Sequence, residues 1–395
     1  MRPHQSLGKE GWDRLTGRAG NMYGRGMSES SQLPPWVPAG GGREFTTSVM
    51  PGIAQPERIA RAGASRHMPD ADELVAGIFS GDRSLVSRAI TLVESNAPAH
   101  RPMAREILRR IGERPGFAHR VGISGVPGAG KSTFIEALGN HLCDAGRKVA
   151  VLAVDPSSSL TRGSILGDKT RMETLSRREE CFIRPSPSGG ALGGVTRKTR
   201  ETIAVCEAAG YDVVLIETVG VGQSEIAVRA MVDCFLLVLI AGAGDELQGM
   251  KKGIFEIADI LLVNKADGEN RIRAEATRLE FERVMHYLSP ATEGWKPPVL
   301  AASSVTRAGV PEVWHAVEKY FTHVEADGRF DHRRREQAIA WWQSLVEQEL
   351  RARFLSDPKI AALSTRLESE ILDGRLAPSL AAEELLEGAG FHQIP

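Results

Sequence analysis

The sequence predicts an α/β fold: a doubly wound, mainly parallel sheet of the P-loop NTPase type, extended by helices at both ends. Three observations predict it. Apolar runs of strand length alternate with helix-length amphipathic segments between residues 116 and 325. The string Gly125-Val126-Pro127-Gly128-Ala129-Gly130-Lys131-Ser132 directly follows the first apolar run and opens a helical pattern. Asn264-Lys265-Ala266-Asp267 directly follows the fifth run, at the strand ends where open α/β sheets hold ligands.

Taken in order, residues 1–68 are rich in Gly, Pro, Ser and Arg and hold no hydrophobic period, so they read as a disordered extension. Their excess of Arg over acids leaves an organelle transit peptide open, and Met27, Met50 and Met68 are alternative starts. Residues 69–115 read as two or three short helices, with Leu74 and Ile78, then Leu85, Ala89, Ile90 and Val93, then Met103, Ile107 and Ile111 at helical spacing. The strands of residues 116–325 are expected at Val121–Ser124, Val149–Val154, Val213–Ile216, Phe235–Ile240, Ile260–Val263 and Val299–Ala302. Residues 326–395 read as a helical tail. From Arg333, a long helix carries Ile339, Trp342, Val346, Leu350 and Phe354 on one face, and periodicity alone fits packing on its own domain or on a second copy.

With 395 residues, 42% of them hydrophobic, the chain can bury a large core. A formal charge of -1 supplies no field for a nucleic-acid backbone, so no nucleic-acid partner is expected. No apolar run approaches the ~20 residues of a membrane span. Cys143, Cys181, Cys206 and Cys234 are scattered, as suits reduced thiols, and offer no paired metal spacing. The expected compartment is the cytoplasm, or the mitochondrial matrix if residues 1–68 are a transit peptide.

The motifs point to a guanine nucleotide, GTP or GDP. The phosphate-binding set comprises Gly125, Val126, Pro127, Gly128, Ala129, Gly130, Lys131, Ser132 and Thr133: backbone amides and a helix N-terminus surround phosphate oxygens, and Lys131 reaches the β- and γ-phosphates. Ser132 is the expected Mg²⁺ ligand. The Asp267 carboxylate can accept from N1 and N2 of guanine, a pair adenine lacks; Asn264 ties loops together and the Lys265 stem covers the base. Ser303 and Ser304 follow the next strand and suit the backbone meeting guanine O6.

Glu217-Thr218-Val219-Gly220 ends a strand in a carboxylate and then a glycine, like a GTPase's D-x-x-G with Glu in place of Asp. Glu217 is expected on Mg²⁺ or its waters, with Gly220 near the γ-phosphate. Asp155, also at a strand end, and Asp168 are further candidates for the metal or switch network; Asp168 reads equally as a helix N-cap. Lys131, Glu217 and Asp155 form the expected catalytic set. Where a Ras-like hydrolase has a water-orienting Gln, Val221 stands, with Gln223 two residues on, so intrinsic hydrolysis is expected to be slow. Arg171, Arg197, Lys251 and Lys252 are candidate charge stabilisers or solvated surface cations.

Further blocks narrow the reading: A-V-D-P-S-S from Ala153, G-S-I-L-G-D-K-T-R-M from Gly163, I-R-P-S-P-S from Ile183, L-G-G-V from Leu192, E-T-V-G-V-G-Q-S-E from Glu217 and G-A-G-D-E-L-Q-G from Gly242. In order and wording they resemble the MeaB, MMAA and ArgK family of P-loop GTPases, related to the signal-recognition-particle and nickel-chaperone GTPases. The resemblance runs from about Asp70 through Arg333–Arg335. It implies a G-protein chaperone that gates cofactor loading of an adenosylcobalamin-dependent acyl-CoA mutase, usually methylmalonyl-CoA mutase, and protects it. It also implies a homodimer through the C-terminal helices. Arg162 departs from the glycine members commonly have there. The segments Gly220–Glu225 and Gly242–Gly253 are the expected route from nucleotide to partner. Alternatives are a nickel-metallochaperone-type GTPase, a transport-protein kinase, or a scaffold that binds GTP without turnover.

Overall fold

The structure, a computed structural model, describes residues 69–114, 116–154, 172–185, 192–218, 224–242, 253–326 and 328–391. Expectations for residues 1–68, and for Asp155, Arg162, Asp168, Arg171, Gly220, Val221, Gln223, Lys251 and Lys252, fall outside the described residues.

Helix α1 (Ala71–Ser80) begins in a capping box: Asp70 accepts from the Glu73 amide at 2.9 Å and Glu73 accepts from the Asp70 amide at 3.2 Å. Helix α2 (Arg83–Val93) is capped by Asp82, and α3 (Arg101–Gly112) follows a single 3₁₀ turn. Leu74, Ile78, Ala89, Ile90 and Ile107 are fully buried, as their helical spacing predicts. They join one continuous apolar core with the sheet.

That sheet has seven parallel strands in the order β3-β2-β4-β1-β5-β6-β7. These are β1 (His119–Gly125), β2 (Val149–Val154), β3 (Cys181–Pro185), β4 (Val213–Thr218), β5 (Cys234–Ile240), β6 (Ile260–Asn264) and β7 (Val299–Ala301). Strands β2, β4 and β6 are buried along their whole length, which explains their uninterrupted apolar runs. Between them run α4 (Lys131–Asp144), α5 (Glu173–Ser176), α6 (Leu192–Ala208), α7 (Ser224–Arg229), α8 (Gly253–Glu256), α9 (Arg271–Met285) and α10 (Val310–Glu325).

One strand escaped the sequence reading. Strand β3 lies at the sheet edge, buries only Cys181 and Phe182, and ends in Arg184 and Pro185, so no apolar run marks it. The other strands appear where expected, several extended by a polar end residue that the ladder accommodates.

The tail forms α11 (Arg329–Ser356), α12 (Pro358–Leu372) and α13 (Pro378–Gly388). Helix α11 starts four residues before Arg333, after Gly328 turns the chain at φ 76°. Its first turns are fastened beneath the sheet. Arg334 donates to both Asp233 carboxylate oxygens at 2.9 and 2.6 Å and to the Ala118 carbonyl at 2.7 Å. Its guanidinium also lies 4.4 Å from the Phe330 ring centroid. The Asp233 carboxylate accepts the Arg120 amide at 2.9 Å, and Arg120 grips Glu207 with two bonds of 2.7 Å. Arg333 donates to the Asp233 carbonyl and to Thr292, and Gln337 to the Val232 carbonyl. Arg200 on α6 completes the attachment by donating to the carbonyls of Ala230, just after α7, and Gln337 on α11. Burial holds its guanidinium down to about 10, and it stands 5.5 Å from the Trp341 ring centroid. Beyond this anchor Ile339, Trp342, Val346 and Leu350 stand exposed, while Phe354 is half-buried beside Phe391, so among the described residues the G domain does not cover this face. Among the described residues, no helix is long and apolar enough to cross a membrane.

Candidate functional site

The loop between β1 and α4 wraps back over the sheet's carboxyl edge because its backbone is allowed to. Gly125 has φ 150° and packs so tightly that a Cβ would lie 2.1 Å from the Val238 carbonyl oxygen. At Gly130, φ 83° turns the chain into the helix, and a Cβ would meet the Asn264 amide nitrogen at 2.8 Å. Lys131, the first residue of α4, is buried with its Nζ donating to the carbonyls of Gly125 at 2.9 Å and Val126 at 3.2 Å. Burial pushes this ammonium below its ordinary value, while the nearby carboxylates of Glu217 and Glu225 pull it back up.

Adjacent β4 brings Glu217 beside the loop, and Ser132 Oγ donates to Glu217 Oε1 at 2.8 Å. This hydroxyl and buried carboxylate form a compact all-oxygen pair, which fits a hard divalent cation such as Mg²⁺. The candidates Asp155 and Asp168 lie outside the described residues, as does Gly220. Glu225, 3% exposed in the first turn of α7, was read from sequence only as the end of the Gly220–Glu225 segment and not as a phosphate-site residue; a lone acid after a Gly-rich string carries no distinguishing signal. The buried hydroxyl pair Thr218 and Ser124, 2.8 Å apart, also went unread; it joins β4 to β1 under the loop.

The second motif closes onto the first. Asn264 Nδ2 donates to the Ala129 carbonyl at 2.9 Å, while its Oδ1 accepts from Ser304 Oγ at 2.8 Å. One amide thus spans the phosphate loop and the loop after β7. Lys265 adopts φ 60°, which lets the chain turn between Asn264 and Asp267. Asp267 accepts a short hydrogen bond from Ser303, whose hydroxyl also accepts the Thr306 amide at 3.1 Å. The structure therefore brings Gly125 through Thr133, Glu217, Asn264, Lys265, Asp267, Ser303 and Ser304 to one edge of the sheet. Arg197 is directed elsewhere: it pairs with Glu201 at 3.1 Å and lines a cavity containing no phosphate-loop residue.

Comparisons with known proteins agree with this arrangement. A solved structure described as a LAO/AO transport system kinase superposes with a TM-score of 0.66 at 36% identity, covering 81% of this chain and 97% of that one. A probable GTPase of Mycobacterium tuberculosis is 50% identical over 333 residues, 84% of this chain and 99% of its own length. GTPase ArgK of Escherichia coli is 48% identical over 278 residues, 70% of this chain and 84% of its own length. The mouse methylmalonic aciduria type A homolog, a mitochondrial protein, is 42% identical over 326 residues, 80% of this chain and 79% of its own. The family profile described as methylmalonyl Co-A mutase-associated GTPase MeaB matches residues 86–359, so this chain, with its phosphate loop and guanine motif joined through Asn264, belongs to the MeaB family of P-loop GTPases.

Proposed function

We propose that the protein binds GTP and hydrolyses it slowly, and that its nucleotide state gates adenosylcobalamin loading onto, and protects, a B12-dependent acyl-CoA mutase, methylmalonyl-CoA mutase first. The observation that carries the nucleotide assignment is the joining of the two motifs by Asn264, with Ser132 and Glu217 paired alongside. In this reading Gly125 to Thr133 cradle the phosphates, and Lys131 leaves the Gly125 and Val126 carbonyls to reach the β- and γ-oxygens. Ser132 and Glu217 would hold Mg²⁺, with Asp155 and Asp168 as further candidates; the ion would neutralise charge developing on the phosphates. Asp267 reads guanine N1 and N2, the Lys265 stem covers the base, and the loop of Ser303 and Ser304 meets O6. Gly220 completes the γ-phosphate contact.

The mutase partner rests on family membership and on relatives named for methylmalonic aciduria. The cytoplasm is the compartment we assign, and the exposed face of α11 is assigned to a homodimer. Hydrolysis is measured on the full chain with and without purified mutase. Mutase is expected to raise the rate, and an unchanged rate with every B12-dependent acyl-CoA mutase tested removes the partner assignment. Turnover undiminished in Lys131→Ala would remove the site assignment itself.

A second reading, phosphate transfer to a transport protein, is favoured by the solved kinase-named structure at 36% identity. It predicts label from γ-labelled GTP on a protein acceptor, whereas the chaperone reading releases it all as phosphate.

A further inference from the structure

A partly enclosed cavity of about 210 Å³ lies between α3, α6 and α11, and none of its lining belongs to the phosphate loop or guanine motif. Arg101 and Arg105 enter it from α3, Arg197 and Lys198 from α6. Among the described residues the lining carries two carboxylates, Glu201 and Glu349, so four positive charges stand against two negative. Glu201 is engaged by Arg197 at 3.1 Å, and Glu349 by Arg353 at 2.8 Å. Among the described residues, Arg101, Arg105 and Lys198 reach no carboxylate at ion-pair distance. Three cations without an ion pair among the described residues, around one concave space, favour an anion there.

A second feature adds to that field. The cavity adjoins the amino-terminal turn of α3, whose cap residue His100 supplies no side-chain acceptor to the helix because its ring is bonded to Ser95 at 2.7 Å. No side chain caps this end of the twelve-residue helix, so its dipole adds a modest positive contribution beside the arginines, although the Arg101 amide is already bonded to the Pro98 carbonyl and Pro102 has none to offer. The charges of Arg101 and Arg197 converge here: both reach Glu349, adding to the larger effect of Arg353 in holding its carboxyl below the usual range. The volume is smaller than the roughly 300–1,000 Å³ that encloses a drug-sized ligand, and matches a tetrahedral anion better than a nucleotide.

We propose that this cavity is a second anion site, distinct from the nucleotide site, that takes a phosphoryl dianion, free or carried by a small molecule. Bidentate arginines suit tetrahedral oxyanions. A bound phosphoryl group would tie the amino-terminal helices, α6 and the C-terminal helix together through one ligand.

The test is calorimetric titration of inorganic phosphate into the full chain saturated with a non-hydrolysable GTP analogue, which fills every phosphate position of the first site, at ionic strength held constant with chloride. Saturable binding with one phosphate per chain is expected. It should weaken at least tenfold in the Arg101→Ala/Arg105→Ala double variant and tighten in Glu349→Gln, with affinity for the GTP analogue unchanged in both. Glycerol phosphate is the parallel arm: binding as tight as phosphate assigns the site to a carried phosphoryl group, and weaker binding assigns it to the free ion. No saturable binding to the unaltered chain, or binding undiminished in the double variant, overturns the proposal.

Discussion

At the scale of single residues, Asp267 and Glu217 make the sharpest predictions. Asp267→Asn replaces an acceptor-only carboxylate with a group that must donate at one atom. Losing one charge-assisted pair is worth about 1.5–3 kcal/mol, so GTP binding should weaken roughly tenfold or more. Xanthosine triphosphate, which presents a carbonyl in place of the guanine amino group, should bind better than to the parent. Competition against a fluorescent nucleotide measures both. Glu217→Gln keeps the hydrogen bond from Ser132 but removes the charge, so Mg²⁺-dependent turnover should fall on the order of a hundredfold. Nucleotide affinity in EDTA should change little, and a rate still responsive to Mg²⁺ at the parent level would exclude Glu217. These residues were legible in the sequence because their chemistry demands short contiguous strings. The hydroxyl pair Ser124 and Thr218 was not, since two small polar residues 94 positions apart declare nothing until the strands align them.

At the scale of elements, the C-terminal helix depends on charges removed from water beneath the sheet. Arg334, at 18% side-chain exposure, pairs with Asp233 at 2%. Arg334→Ala would strand that carboxylate with only the Arg120 amide, and the loss of a buried ion-pair partner typically costs about 3–5 kcal/mol. Urea unfolding should show the loss, and limited proteolysis should cut α11 sooner. His119, at the start of β1, stacks on the Phe321 ring of α10 with centroids 3.7 Å apart. Burial lowers its pKa from 6.5, a shift opposed by Glu325 and Asp233 and reinforced by Arg147. Because the folded value lies below the unfolded one, the unfolded chain binds a proton first as pH falls. Stability should therefore decline from about pH 6.5 toward the lowered native value, and His119→Gln should remove that part of the slope in unfolding measured against pH. The amino-terminal helices, the long helix α11 and six of seven strands could be read from periodicity, whereas this cluster could not. Arg334 meets Asp233 from 101 residues away and the Ala118 carbonyl from 216, and a charged residue near a strand start reads as solvated until its partner arrives.

At the scale of the whole molecule, the long helix carries an exposed apolar face. Trp342 is 63% exposed and Leu350 62% exposed along the same face. If that face is the homodimer seam, Trp342→Glu with Leu350→Glu should convert dimer to monomer by light scattering, while GTP analogue binding persists, since neither residue nears the phosphate loop. A chain already monomeric before substitution would dismiss the seam.

Arg200 gives that surface a further meaning. Its one rigid guanidinium donates both to the carbonyl just beyond α7, the helix that follows Glu217's strand, and to the backbone of α11. A planar fork cannot follow two carbonyls that separate, so the two helices either move together or give up one of the bonds. Such a tie works in both directions with equal strength. Any companion that grips α11 and changes the grip on nucleotide by some factor must find its own grip changed by nucleotide by the same factor. Arg200→Lys, which keeps the charge and loses the fork, should bring that factor closer to one.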